Sequence, residues 1–224
     1  MKNLGQIVGY AGLLLEFVIV ARSIQCKSFA KYPVFYSYIV SVLCADLFLL
    51  VAYAIAKPSA WLYWRFEIVT VALGCGVLLE ISRYVFARHI SLDHFVRWTT
   101  ALTFGAVFFV FAIHALFLPS WKPAANPAEL ERQLRVAQAL ALMSIVFLSG
   151  YYGIAIGKNM KGIILGFGVY VGATLISLAL RGIIGLRFSP TWRVIQPFSY
   201  LVALLIWAVA LWTYEPDNVA TLRL

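Results

Sequence analysis

Residues 162–186 read GIILGFGVYVGATLISLALRGIIGL, and this stretch decides the fold. Its one charged residue is Arg181, and a helix needs about 20 apolar residues to cross the hydrocarbon core of a bilayer. The remaining chain has the same character, since 63% of the 224 residues are hydrophobic and only 12% are charged. Soluble domains are about one quarter charged. The sequence therefore predicts an integral membrane protein built from helices.

Seven apolar runs have the length and composition of membrane spans. They cover 6–21, 34–56, 61–83, 98–118, 134–156, 162–186 and 194–213. We number the corresponding helices one to seven in chain order. The fold class expected is all-α, a polytopic seven-transmembrane-helix bundle forming one domain over residues 1–213, with a short cytoplasmic tail at 214–224. The connections are too short for a soluble catalytic or DNA-binding domain.

The net charge of +9 has a topological explanation. Lys and Arg residues concentrate at the ends of the apolar runs, where they meet anionic lipid headgroups, so we expect membrane lipids and no nucleic acid as partners. A modest excess of Lys and Arg after runs one, three and five predicts an outside N-terminus and a cytoplasmic C-terminus, in a bacterial inner membrane. This count assigns Arg135 to the opposite side and places Glu131 in a proline-rich loop.

Small residues spaced along one helix face allow close packing in a membrane. We predict seams at three places, on helices one, five and six: Gly5, Gly9 and Gly12; Gly153 and Gly157; and Gly168, Gly172, Ala179 and Gly182. Glu16 continues the stripe on helix one and should therefore face protein. Glu67 shares a sector of helix three with Val71 and Gly74, which predicts close contact with another helix.

Ionisable residues inside a membrane are costly and are therefore candidates for function. Asp46 is the deepest acid, near the middle of helix two. With Glu16 and Glu80 it forms a candidate proton or ion relay. Glu80 and Arg83, spaced i, i+3, are also placed to pair with each other.

A second group of polar side chains points to a ligand pocket in the outer half of the bundle. The candidate ligand-binding residues are Glu67, His114, Gln138, Tyr170, Ser177, Arg181, Gln196 and Tyr200. Arg181 would supply the counter-charge for a small anionic or amphipathic ligand. The alternative is that these residues form interhelical hydrogen bonds, worth about 0.6 kcal/mol each in membranes.

The sequence lacks the residues that retinal binding, haem binding and zinc proteolysis require. Residues 194–212 contain no Lys for a retinal Schiff base, and His89 and His94 lie outside the apolar runs, so paired haem ligands are missing. The zinc protease motif HExxH is also missing. We therefore expect no metal, no cofactor and no enzyme activity.

Three functions remain open. The first is a sensor or receptor-like protein that binds a small molecule and acts through a partner protein. The second is a small-solute transporter or an ion or proton channel, and the third is an accessory subunit of a membrane complex. Transport ranks second because transporters favour discontinuous helices, whereas the only proline inside an apolar run is Pro197, which lies near the end of run seven.

Overall fold

The computed structural model describes residues 2–55, 60–87, 98–106, 127–184 and 189–212, with the isolated residues 94, 96 and 109. All secondary structure in this part is helical. The long helices are α1 (Lys2–Gln25), α2 (Pro33–Ile55), α3 (Ala60–Phe86), α5 (Pro127–Tyr151), α6 (Lys158–Ile184) and α7 (Ser189–Trp212). A helical stretch at 98–106, labelled α4, lies between α3 and α5.

Six helices of the described part are long and apolar enough to cross a membrane, which indicates a membrane location. They correspond to six of the seven predicted runs. The predicted fourth span, 98–118, lies mostly outside the described residues. A helical membrane protein is therefore supported, and the seventh crossing stays a prediction.

The six long helices pack as a ring in chain order. α1 packs on α2, α2 on α3, α3 on α5, α5 on α6 and α6 on α7, and α7 returns to α1. Side chains that point inward from these helices therefore share one interior.

A carboxylate from α3 fixes the start of α2. Pro33 occupies the first position of α2, where its missing N–H costs nothing. The backbone N–H groups of Val34 and Phe35 donate to the two carboxylate oxygens of Glu80, at 3.0 and 2.8 Å. Glu80 thus satisfies two of the free amides at the beginning of the helix. These two hydrogen bonds explain why a carboxylate is partly buried at Glu80, so a proton or ion relay is not needed to explain its position.

The closest helix seam joins α6 to α7. A side chain at Gly166 would overlap the indole of Trp207, and one at Gly162 would overlap Ala210. Trp207 is fully buried, and its Nε1–H donates to the carbonyl of Ile163 at 3.2 Å. The absence of Cβ at two glycines is therefore what allows the indole to reach the α6 backbone.

The predicted glycine seams are wrong in several places. On α6, Gly168 packs closely, since a Cβ there would come within 3.3 Å of Leu142 on α5, but Gly172 faces open space and Ala179 is exposed. The face that contacts α7 carries Gly162 and Gly166 instead. On α1, Gly9 is exposed and Gly12 approaches α7, while the surroundings of Gly5 lie outside the described part of the chain. Gly153 lies beyond the end of α5, in a turn where its φ of +62° favours glycine.

Candidate functional site

A cavity of about 250 Å³ lies between α2, α3, α6 and α7. Polar and aromatic residues share its lining with aliphatic ones: Tyr38, Val42, Ala45, Asp46, Leu49, Phe66, Glu67, Thr70, Tyr170, Gln196, Pro197 and Tyr200. Asp46, Glu67 and Gln196 each lie roughly 10–14 Å from the nearer helix end, at a rise of about 1.5 Å per residue. Those ends are at Ile55, Ala60 and Ser189, so the cavity occupies that half of the bundle.

Arg135, on α5, is fully buried behind the cavity wall. Its Nη2 donates to Glu67 Oε1 at 3.2 Å and to the Tyr170 hydroxyl at 3.1 Å. Its Nη1 donates to Gln138 Oε1 at 3.4 Å, and Glu131 Oε1 lies 3.7 Å from its Nε. The guanidinium also stacks over the Tyr170 ring, 4.8 Å from the centroid. One cation therefore connects α3, α5 and α6.

Gln138 extends this network along α3. Its amide Nε2 donates to the carbonyl of Val71 at 3.0 Å and lies 3.5 Å from Cys75 Sγ. A Cβ at Gly74 would come within 2.9 Å of the same nitrogen. The predicted close-contact sector of Glu67, Val71 and Gly74 is confirmed, and the helix that it faces is α5.

The sequence-based assignment of Glu131 to a loop is wrong, and Arg135, counted as an interfacial residue at the start of run five, is instead fully buried. α5 begins at Pro127, before the apolar run, so both residues lie within the helix. Pro127 at the first helical position was one available signal. The spacing of Glu131, Arg135 and Gln138 at i, i+4, i+7 was another, because it places all three on one face.

Among the described acidic residues, Asp46 and Glu16 have no cationic partner. Asp46 lines the cavity and forms no hydrogen bond or ion pair with the rest of the described chain, and the charge of Glu67 acts on it. Glu16 is fully buried, which confirms that it faces protein. Its charge interacts with that of Asp46, and the Tyr200 hydroxyl lies beside it. Within the described residues, neither Glu16 oxygen completes a hydrogen bond.

An aromatic cluster separates the cavity from the Pro33 and Trp212 ends of the bundle. The ring of Trp207 lies 5.2 Å from Phe35, 6.3 Å from Tyr38 and 6.4 Å from Tyr200. Phe167 adds a contact to Tyr38 at 6.0 Å. Tyr38 and Tyr200 line the cavity and also belong to this aromatic cluster, so they form the floor of the cavity.

The structure brings part of the predicted site together. Glu67, Tyr170, Gln196 and Tyr200 line the cavity with Asp46 of the relay set. Gln138 does not line the cavity but accepts a hydrogen bond from Arg135, which lies behind the cavity wall.

The other predicted site residues are placed differently. Ser177 is buried in α6 but does not line the cavity. His114 and the side chain of Arg181 lie outside the described residues, so their roles stay predictions. Within the described residues, no three His, Cys, Asp or Glu side chains group as metal ligands.

No family model matches the chain, and no curated protein or solved structure is significantly similar to it. The functional argument therefore depends on the cavity and the residues around it.

Proposed function

We propose that this protein is a seven-helix membrane sensor that binds a small molecule in the cavity and acts through a partner protein. The observation that carries the proposal is a cavity of about 250 Å³ whose lining combines carboxylates, an amide and tyrosines with aliphatic side chains. Small-molecule sites between bundle helices have this composition, mostly apolar with a few directed polar groups.

The position of the cavity suits a sensor. Its walls come from α2, α3, α6 and α7, so one ligand would contact four helices of the ring. A ligand shifts a conformational equilibrium only by binding one arrangement better than another. Because Pro197 lies within α7 and lines the cavity, α7 lacks one backbone hydrogen bond at that level and is the helix best suited to bend.

The topology belongs to the same proposal. With seven crossings, an outside N-terminus and a cytoplasmic C-terminus, the cavity lies in the outer half of the membrane. A ligand would then arrive from outside or from the outer leaflet. The connections leave little cytoplasmic mass, so the signal would pass to a partner protein.

Transport is the second candidate, and Glu16 is the observation in its favour. This fully buried carboxyl group lies beyond the cavity on α1, and its charge interacts with that of Asp46. A buried carboxyl group without a partner either carries a proton or holds a cation. Glu67, Asp46 and Glu16 would then form a succession of sites for a proton or a small cation.

The test is thermal unfolding of the purified protein with a library of small amphiphiles that are cationic, anionic and neutral. A sensor should be stabilised by at least one class, since a ligand that binds only the folded state raises its stability. Flux in proteoliposomes that is abolished by Asp46→Asn would favour transport instead. If no compound changes the thermal stability, the accessory-subunit interpretation would be favoured.

A further inference from the structure

We propose that the ligand is a small organic cation, an ammonium group held by Asp46 against the tyrosines of the cavity floor. The inference depends on the proposed binding function and specifies its ligand class. It replaces the anionic ligand expected from Arg181, because the charged residues of the described lining are the carboxylates Asp46 and Glu67.

The charges near the cavity do not balance. Arg135 is the one cation that the described network holds, and it is shared by Glu67 at 3.2 Å and Glu131 at 3.7 Å. Asp46 lies on the other wall, and within the described residues no cation approaches it. Charge buried in a membrane is costly unless it is paired. A cation in the cavity would supply the partner that Asp46 lacks.

An unpartnered hydroxyl group provides an independent indication of a ligand. Tyr38 lines the cavity and is fully buried, yet in the described part of the chain its hydroxyl has no hydrogen-bond partner. The hydroxyl of Tyr200, also in the lining, lies beside the Glu16 carboxyl group and does not add to this observation. Buried polar atoms of native proteins nearly always have partners. Tyrosine oxygens can accept hydrogen bonds from an ammonium group.

The size and the walls of the cavity favour an organic cation over a bare metal ion. A volume of about 250 Å³ is several times the roughly 30 Å³ that a water molecule occupies in the liquid. The rings of Phe66 and Tyr200 can stabilise an alkylammonium group through cation–π contacts, whereas the Tyr170 ring already carries Arg135. No triad of His, Cys, Asp or Glu ligands forms among the described residues.

A cationic nitrogen occurs in free amines and in the headgroups of ethanolamine and choline lipids. The choline nitrogen carries no N–H, so choline tests the charge and the cation–π contacts and can reach a tyrosine hydroxyl only through its own hydroxyl group. A matched pair of probes tests the charge, namely choline and 3,3-dimethylbutan-1-ol, which has nearly the same shape without the charge. Propionate and sodium chloride represent anions and metal ions. Binding is measured by calorimetry on the full chain in an uncharged detergent and an amine-free buffer.

Choline should bind the natural protein at least about tenfold more tightly than the neutral alcohol, which corresponds to about 1.4 kcal/mol, because only choline carries the charge that Asp46 and the aromatic rings would stabilise. Asp46→Asn should weaken choline binding about tenfold and leave the alcohol unchanged. The matched control is Cys44→Ala, on the exposed face of the same helix, which should change neither. The choline–alcohol comparison needs no variant, so it stands even if Asp46→Asn fails to fold.

The source of the ligand is tested in phosphatidylglycerol nanodiscs. If added phosphatidylethanolamine or phosphatidylcholine competes with choline, the natural ligand is a lipid headgroup; if it does not, the ligand is a free amine. If choline and the alcohol bind equally, or if propionate or sodium binds more tightly than choline, the proposal of an organic cation is wrong. The proposed ligand-binding function would still be supported. If no probe of any class binds, both proposals fail.

Discussion

Arg135 and Glu67 form an ion pair of 3.2 Å that joins α5 to α3 directly behind the cavity. The arginine is fully buried and the glutamate is 15% exposed, so the pair has little access to solvent. Tyr170 and Gln138 accept the guanidinium's remaining hydrogen bonds. A buried pair of this kind need not stabilise a fold more than apolar residues would, but breaking it leaves an unpaired charge inside. Its effect is to fix where Glu67 stands in the cavity wall.

Replacing Arg135 should therefore be strongly destabilising. Arg135→Gln leaves Glu67 and Glu131 without their cation, at an expected cost of about 3–5 kcal/mol. The matched control is Arg132→Gln on the exposed face of α5, expected to cost less than about 1 kcal/mol. Equilibrium unfolding in detergent measures both. Equal effects of the two variants would mean that the ion pair contributes nothing specific.

A double variant separates the ion pair from the packing of the arginine side chain. Arg135→Gln combined with Glu67→Gln removes both charges of the pair. The combined loss should be smaller than the sum of the single losses, by about 0.5–3 kcal/mol, as is usual for residues in direct contact. Strict additivity would argue against coupling between α3 and α5.

Glu80 should stabilise α2 through its two backbone hydrogen bonds. Glu80→Gln keeps one acceptor oxygen but places an NH₂ group opposite an amide donor, so we expect a loss of about 1–2 kcal/mol, similar to that of other helix caps. The control is Arg83→Gln, which removes the charge at i+3 and should cost about 0.5 kcal/mol or less. Thermal unfolding distinguishes the two, and a larger effect of the arginine would favour the ion pair over the cap.

Gly166 and Gly172 offer a matched test of the α6–α7 seam. Gly166→Ala places a methyl group against the Trp207 indole and should cost about 1–3 kcal/mol through overpacking. Gly172→Ala meets open space on the same helix, and should be neutral or stabilising by up to about 1 kcal/mol. Unfolding midpoints of both variants check the expectation. If Gly166→Ala were tolerated equally well, the indole would have room to move.

The helices were predictable from the sequence because membrane spans depend on local composition. The glycine seams were not, because several glycines of α6 look alike until the partner side chain is known. Trp207 selects Gly166, and no pattern within 162–186 contains that information.

Arg135 was missed for a different physical reason. The charge count treats a basic residue near the end of an apolar run as interfacial, but α5 starts at Pro127, well before the run at 134. Glu131 and Arg135 are buried, whereas Arg132 and Gln133 between them are exposed, so only one face of this polar segment packs inside the bundle. Glu67 was found because its whole sector points at one neighbour, α5. The meeting of Asp46, Glu67 and Gln196 in one cavity depends on helix adjacency, which spacing along single helices does not give.

The number of crossings can be tested by the location of the two chain ends. Seven crossings place the termini on opposite sides of the membrane, whereas six crossings would place both on one side. In the described part, Arg22 near the end of α1 donates to the carbonyl of Trp212 at the end of α7, at 3.4 Å, an arrangement in which these two helices run parallel. We expect an outside N-terminus and a cytoplasmic C-terminus, because the short loops after runs one, three and five carry more Lys and Arg. A C-terminal green fluorescent protein should fluoresce, a C-terminal alkaline phosphatase should be inactive, and an N-terminal epitope should be accessible in intact spheroplasts. Termini on the same side would mean that 98–118 does not cross, and termini in the reverse orientation would place the cavity in the cytoplasmic half, which would contradict an outside ligand.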